Sequence, residues 1–183
     1  MKSLNIMMIV LLAIVQQSHA QQKADNKKEI NSIINTYIKT VIERDSVAFY
    51  ALFNDGTVTW CAAVKEKSQA KEIEAKGLKK SQNSYFEGSY KGFFRGLFTH
   101  QSTEDKFDNI TIIEDGTVAS VTMDYSFWAD NKMTNWGGKY LTLIKRDGQW
   151  KIASVIYSLE LITYFQQPSL KERQKEKRKA INL

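Results

Sequence analysis

The residues that stand out as candidates to move a proton, Tyr37, His100 and Asp124, lie far apart in the chain. His100 is the one imidazole outside residues 1–20, and histidine's ordinary pKa suits it to acid–base work near neutral pH. It follows an aromatic run and opens the polar segment "HQSTED", a place that equally suits a capping or surface residue. Asp124 opens the run "DYSFWADNKMTNWGGKYLTLIKRDGQWKIASVIYS", which holds three of the chain's four tryptophans. A general base must reach the proton it removes, and strand alternation works against Asp124 in that role. Val121, Met123, Tyr125 and Phe127 share one face, Ser120, Thr122, Asp124 and Ser126 the other. The apolar face belongs inward, so Asp124 is expected to point outward, toward solvent or a partner subunit. A β-bulge would reverse this.

The aromatic residues offer binding rather than proton transfer. A buried Tyr or Trp keeps a polar handle that needs a partner, so such residues can line a cavity that orients an apolar or aromatic ligand. Tyr37, Trp60, Tyr125 and Phe127 fit either packing or a pocket wall, and Tyr140 joins them as a pocket candidate. Trp136 precedes Gly137-Gly138, where the missing side chains let something approach the backbone; a place at a pocket rim follows. Trp150, in "GQWKI", reads as core. No metal site is expected: there is one histidine outside the leader and one cysteine, with no zinc-ligand spacing. Cys61 has no partner for a disulfide, so the fold rests on packing. It sits in an apolar segment, as a small buried hydrophobe does.

The elements that must hold these residues are legible. Ile30, Ile33, Ile34, Tyr37, Ile38, Val41 and Ile42 recur at helical spacing, with Asp25 or Asn26 as a starting cap. Asp45 or Ser46 caps a second, short helix through "VAFYALF", and "NDG" turns the chain into the strand "TVTWCAAV". Residues 65–83 are charged, a solvated helix or mobile crossing. "YFEGSYKGFFRGLF" keeps helical spacing, with Gly88, Gly92 and Gly96 in a row that suggests close approach of another element. The last third reads as strands turning at "EDG", "Asp130-Asn131" and "Asp147-Gly148". Helices followed by such a meander predict an α+β fold, a curved antiparallel sheet wrapped around N-terminal helices.

Bulk composition narrows the partners. Residues 1–20 combine Lys2, an apolar core Ile6–Val15 and the small-x-small ending Ser18-His19-Ala20, the pattern of a signal peptide. Export to the periplasm or medium is expected, without a stable membrane anchor, since the apolar run is too short to span a bilayer. The net charge of +6 is uneven. Residues 21–167 carry 19 basic against 18 acidic side chains, a net of +1, whereas 168–183 carry 6 against 2, a net of +4. The body thus has no basic face for nucleic acid, and the basic C-terminal tail is expected to be solvated and frayed. Three parts result: a signal peptide at 1–20, one domain at 21–167 and the tail at 168–183.

The stretches "INTYIKTVIERDSVAFYALFNDGTVTW" and "GGKYLTLIKRDGQWKIASVIYS" resemble the NTF2-like superfamily, the cone-shaped α+β fold of nuclear transport factor 2, ketosteroid isomerase, SnoaL-type cyclases and scytalone dehydratase. The closing "L.K.DG.WKI" is most similar to small exported members described as SnoaL-like, DUF4440-like or lumazine-binding-like. The resemblance implies a conical pocket between sheet and helices, a homodimer through the convex face and no cofactor. In ketosteroid isomerase a first-helix tyrosine hydrogen-bonds the substrate, and Tyr37 falls at the matching place. That enzyme's strand aspartate corresponds here to Trp60, and the run matching its second acid, "NWGGKYLTLIK", holds no carboxylate. Fold does not transfer function, and three readings follow. The chain is expected to bind a small hydrophobic or aromatic ligand; alternatively it is an isomerase, hydratase or cyclase using Tyr37 or His100, or a non-catalytic dimeric interaction protein with a filled cavity.

Overall fold

The structure is a computed structural model that describes residues 2–80 and 84–181, with side chains described for 21–80 and 84–179. The leader reading rests on side chains 1–20, which lie outside the described ones. Helix α1 runs Lys2–Glu43, so neither Asp25 nor Asn26 starts it. Asn26 is instead buried, donating to Glu114 Oε2 at 3.0 Å and accepting from Lys145 at 2.9 Å. Ile30, Ile34, Tyr37 and Val41 form its buried stripe, while Ile42 stays exposed. Asp45 caps α2 (Ser46–Tyr50), its side chain accepting from Ala48 N at 3.0 Å.

Strand β1 (Thr59–Val64), α3 (Glu66–Lys76) and the short β2 (Tyr85–Glu87) come next. The aromatic run expected to be one helix divides: Phe86 lies exposed in β2, and α4 spans only Tyr90–Gly96, capped by Ser89 Oγ. Nor do its glycines admit another element. A Cβ on Gly96 would meet nothing within 4 Å, and one on Gly88 only the edge of Trp60 at 3.9 Å.

The rest is β3 (Thr103–Glu114), β4 (Val118–Ala129), β5 (Lys132–Arg146), β6 (Gln149–Leu161) and α5 (Leu170–Ile181). The strands form one six-stranded sheet in the order β2-β1-β6-β5-β4-β3, curved and unclosed. Every pairing is antiparallel except β1 with β6. The hairpin signals sit where the backbone needs them: Asp130, Asn131, Asp147 and Gly148 all have positive φ. One face of the sheet packs on α1, α2 and α4 through Val121, Met123, Leu141, Leu143, Ile152 and Val155. The other carries Asp124, Trp136, Tyr140 and Glu160, by the period of two. Trp150 is buried in the main core. Among the described residues no helix is long and apolar enough to cross a membrane.

The basic tail departs from expectation. Residues Leu170–Ile181 are helical, and Arg173 is held to the outer face of the sheet by Asp124 at 2.9 Å and Asp108 at 3.0 Å. Lys177 adds a third contact, to Asp124 at 2.8 Å. The charged run finds a specific anionic counterpart, which composition alone does not reveal.

Candidate functional site

Strand parity builds the interior of the cone. Leu141 and Leu143 face the core, so Lys139, two residues earlier on β5, must face it too. On β3 the same logic turns Thr103, Asp105 and Phe107 inward. Lys139 Nζ donates to Asp105 Oδ2 at 2.8 Å and stands 3.5 Å from Tyr37 Oη on α1. Both charged side chains are almost wholly excluded from solvent, at 3% and 1% exposure.

Four rings surround the ammonium. Their centroids lie 4.8 Å (Tyr125), 5.0 Å (Phe107), 5.2 Å (Tyr37) and 5.6 Å (Tyr157) from Lys139 Nζ, within cation–π range. Tyr125 sends its hydroxyl to Asn135 Oδ1 at 2.9 Å. Asp105 Oδ1, by contrast, is buried with no hydrogen-bond partner among the described residues. An orphaned carboxylate oxygen of this kind carries a desolvation cost, and a ligand donor would relieve it.

Burial sets the electrostatics. It pushes the Lys139 ammonium below the usual lysine range, with Asp105 opposing. Burial first, and then the Asp105 charge, raises Tyr37 well above the usual phenol value. Tyr125 is raised well above it too, by burial and then by Tyr157 and Asp105. Tyr157 is raised chiefly by burial, against a hydrogen bond from Trp60. The phenols are therefore neutral donors at ordinary pH, while the lysine gives up its proton more readily than a surface amine.

An open recess of about 260 Å³ borders this nest at Tyr157, lined by Trp60, Phe86, Gly88, Ser89, Phe93 and Tyr157. Phe93 lies 4.9 Å from Trp60, centroid to centroid, and Tyr157 lies 6.3 Å from it nearly edge-on. Tyr157 thus belongs to both places, lining the recess and bordering Lys139. A larger depression of about 430 Å³, bounded by Ile42, Glu104, Lys106 and Trp128, holds only the half-exposed Lys106–Glu104 pair and no buried ionisable group.

The structure distributes the sequence candidates unevenly. Tyr37 and Tyr125 stand around Lys139, Trp60 lines the recess, and Phe127 is half-buried beside Phe93 at 6.1 Å. Trp136 and Tyr140 are corrections. Both have the parity opposite to Lys139 and occupy the outer face, where Tyr140 is 51% exposed. Trp136 is buried there, donating to Phe165 O at 2.8 Å, with the ammonium groups of Lys65 and Lys67 over its ring. Gly137 does mark a close approach, but by strand β6: a Cβ would fall 1.9 Å from Ser158 O.

His100 caps the short 3₁₀ turn Leu97–Thr99 and meets Asp130 Oδ2 at 3.2 Å in a half-exposed loop, in contact with none of the side chains named around Lys139. Asp124 faces outward, as alternation requires, bound by Arg173, Lys177 and Asn109. Lys139, Asp105, Phe93 and Tyr157 escaped the sequence reading. Extending the alternation from Leu141 back two residues would have found Lys139. Among the described residues, no group of three or more His, Cys, Asp or Glu side chains could hold a metal ion.

Residues 25–158 match a family model described as "Putative lumazine-binding". No curated protein matches the chain. Solved structures of similar fold include a "Putative Scytalone Dehydratase" from Novosphingobium aromaticivorans, 18% identical, covering 82% of this chain and 94% of that one, with a TM-score of 0.58. An NTF2-like protein of unknown function from Pseudomonas putida is 13% identical over 80% of this chain and 96% of its own, with a TM-score of 0.55. Another, from Shewanella baltica, is 16% identical over 75% and 95%, with a TM-score of 0.50.

Proposed function

The chain belongs to the lumazine-binding-like family and has the NTF2-like fold, and from that premise we propose that it is an exported binding module for a small, flat aromatic ligand. Trp60, Phe93 and Tyr157 hold the ring system by stacking and edge contacts. The inner end of the ligand meets Lys139 as donor and Asp105 as acceptor. The observation that carries this reading is Tyr157, shared between the open recess and the buried ion pair. A site made of aromatic walls and a few convergent polar groups is what small-ligand binding requires. The leader-like residues 1–20 support export.

Lumazine, a bicyclic with N–H donors and carbonyl acceptors, is the first ligand to try. Titration followed by its own fluorescence should saturate, and Trp60→Ala should weaken binding about tenfold, equivalent to about 1.4 kcal/mol. Failure of both lumazine and an anilinonaphthalene dye to bind the folded protein overturns the reading. A homodimer through the outer face is the assembly we favour, because the cross-strand neighbours Tyr140 and Ile156 are both exposed there. Sedimentation tests it, with a monomer at all concentrations as the refuting result.

A further inference from the structure

The geometry points to Lys139 as an imine-forming lysine, whose ligand is a small aromatic aldehyde or ketone that enters over Trp60 and Tyr157. The inference rests on the binding reading above and names the reactive group that reading lacks. Three observations meet at one atom. Lys139 Nζ is ringed by four aromatic side chains, one of which, Tyr157, also lines the recess. Asp105, 2.8 Å away, is positioned to take the ammonium proton, and its Oδ1 has no other hydrogen bond. Tyr37 Oη, 3.5 Å from Nζ and hydrogen-bonded toward Asp105, stays protonated and is near enough to turn its hydroxyl to the oxygen that becomes negative during attack.

The step balances without any further reactant. Asp105 accepts a proton from the ammonium and becomes a carboxylic acid, which frees the nitrogen lone pair. That pair attacks the carbonyl carbon, forming C–N while the C=O π pair moves to oxygen, and a proton passes from nitrogen to oxygen to give the carbinolamine. Asp105 then returns its proton to the hydroxyl, the C–O bond breaks, water leaves, and the nitrogen pair closes C=N. The products are a protonated imine on Lys139, a regenerated Asp105 carboxylate beside it, and one water. Burial favours this chemistry, because it lowers the proton affinity of the lysine.

The test uses the full-length protein and cinnamaldehyde with sodium cyanoborohydride, which reduces imines to stable secondary amines. After proteolysis, mass spectrometry locates the adduct. Near pH 7.5, Lys139 should carry more label than any exposed lysine, because burial leaves more of its amine unprotonated. Tyr37→Phe should slow labelling of Lys139 without changing that of surface lysines, and Lys139→Arg should abolish the adduct at this position. Label confined to surface lysines, while lumazine still binds, overturns the imine and leaves the binding module standing. Absence of both lumazine binding and Lys139 label removes both readings. Label on Lys139 whose rate follows the surface lysines across pH 6–10 also refutes it.

Discussion

Two ionic clusters sit on opposite faces of the same sheet, and they behave as opposites. Inside, Lys139 and Asp105 form a single pair with almost no access to water. Outside, Asp124 collects Arg173 at 2.9 Å, Lys177 at 2.8 Å and Asn109 at 2.6 Å, with Lys177 itself half-exposed. Burial also pushes Asp124 upward, but Lys177, Asn109 and Arg173 together outweigh it and hold the carboxyl below its usual range. For Lys139 the balance reverses: one carboxylate does not offset the loss of water, and the ammonium is weakened. The number of partners and the remaining solvent decide the sign, since desolvation opposes charge while hydrogen bonds and counter-ions favour it. The outer cluster holds α5 to the sheet; the inner one keeps an ammonium weakened by burial.

That contrast can be broken most forcefully from within. Asp105→Ala or Lys139→Ala strands a buried charge and should cost about 3–5 kcal/mol in urea unfolding, whereas the paired change Lys139→Met with Asp105→Leu should recover most of the loss. Equal losses in the single and paired variants would show that the two side chains are not coupled. Gly137→Ala tests the frame that sets the parity of Lys139, because its Cβ must displace the Ser158 carbonyl. About 1–3 kcal/mol of destabilisation is expected from such overpacking, read from the shift of the urea midpoint.

On the outer face, Arg173→Ala should cost only about 1 kcal/mol, a partly exposed network rather than a buried pair. Its pH dependence follows from Asp124. A carboxyl whose folded pKa is depressed contributes stability fully present above the unfolded value of about 3.9 and lost as pH falls through the folded one. The gap in melting temperature between wild type and Arg173→Ala should therefore hold from pH 7 to about 4 and close below it. A gap that persists at pH 2 would separate Arg173 from Asp124. Smallest of all, His100→Ala removes a half-exposed contact to Asp130. It should shift stability by about 0.5 kcal/mol or less and leave the lumazine titration unchanged.

Much of the architecture could be read from periodicity. The stripe Ile30, Ile34, Tyr37, Val41 and the alternation Val121, Met123, Tyr125 are local patterns, repeated often enough to orient an element without its neighbours. The Asp-Asn and Asp-Gly turns were legible for the same reason, since their backbone needs positive φ. The division of "YFEGSYKGFF" into strand and helix was not, because only the pairing of Tyr85–Glu87 with β1 distinguishes its two halves. Trp136 and Tyr140 were misplaced by composition: an aromatic beside glycines suggests a rim, but their parity relative to Leu141 puts them outside.

What the residues determined unaided was the α+β order, the inward faces of α1 and β4, and the outward aim of Asp124. What only the tertiary structure decided was which charges meet. Asp105, Tyr37 and Lys139 are separated by 34 and 102 positions from the lysine outward, and Arg173 lies 49 from Asp124. The curvature of a six-stranded sheet, not any local pattern, brings such groups within 3.5 Å. Sequence periodicity reports the direction a side chain takes from its own backbone, whereas an ion pair depends on two backbones and on the water excluded between them.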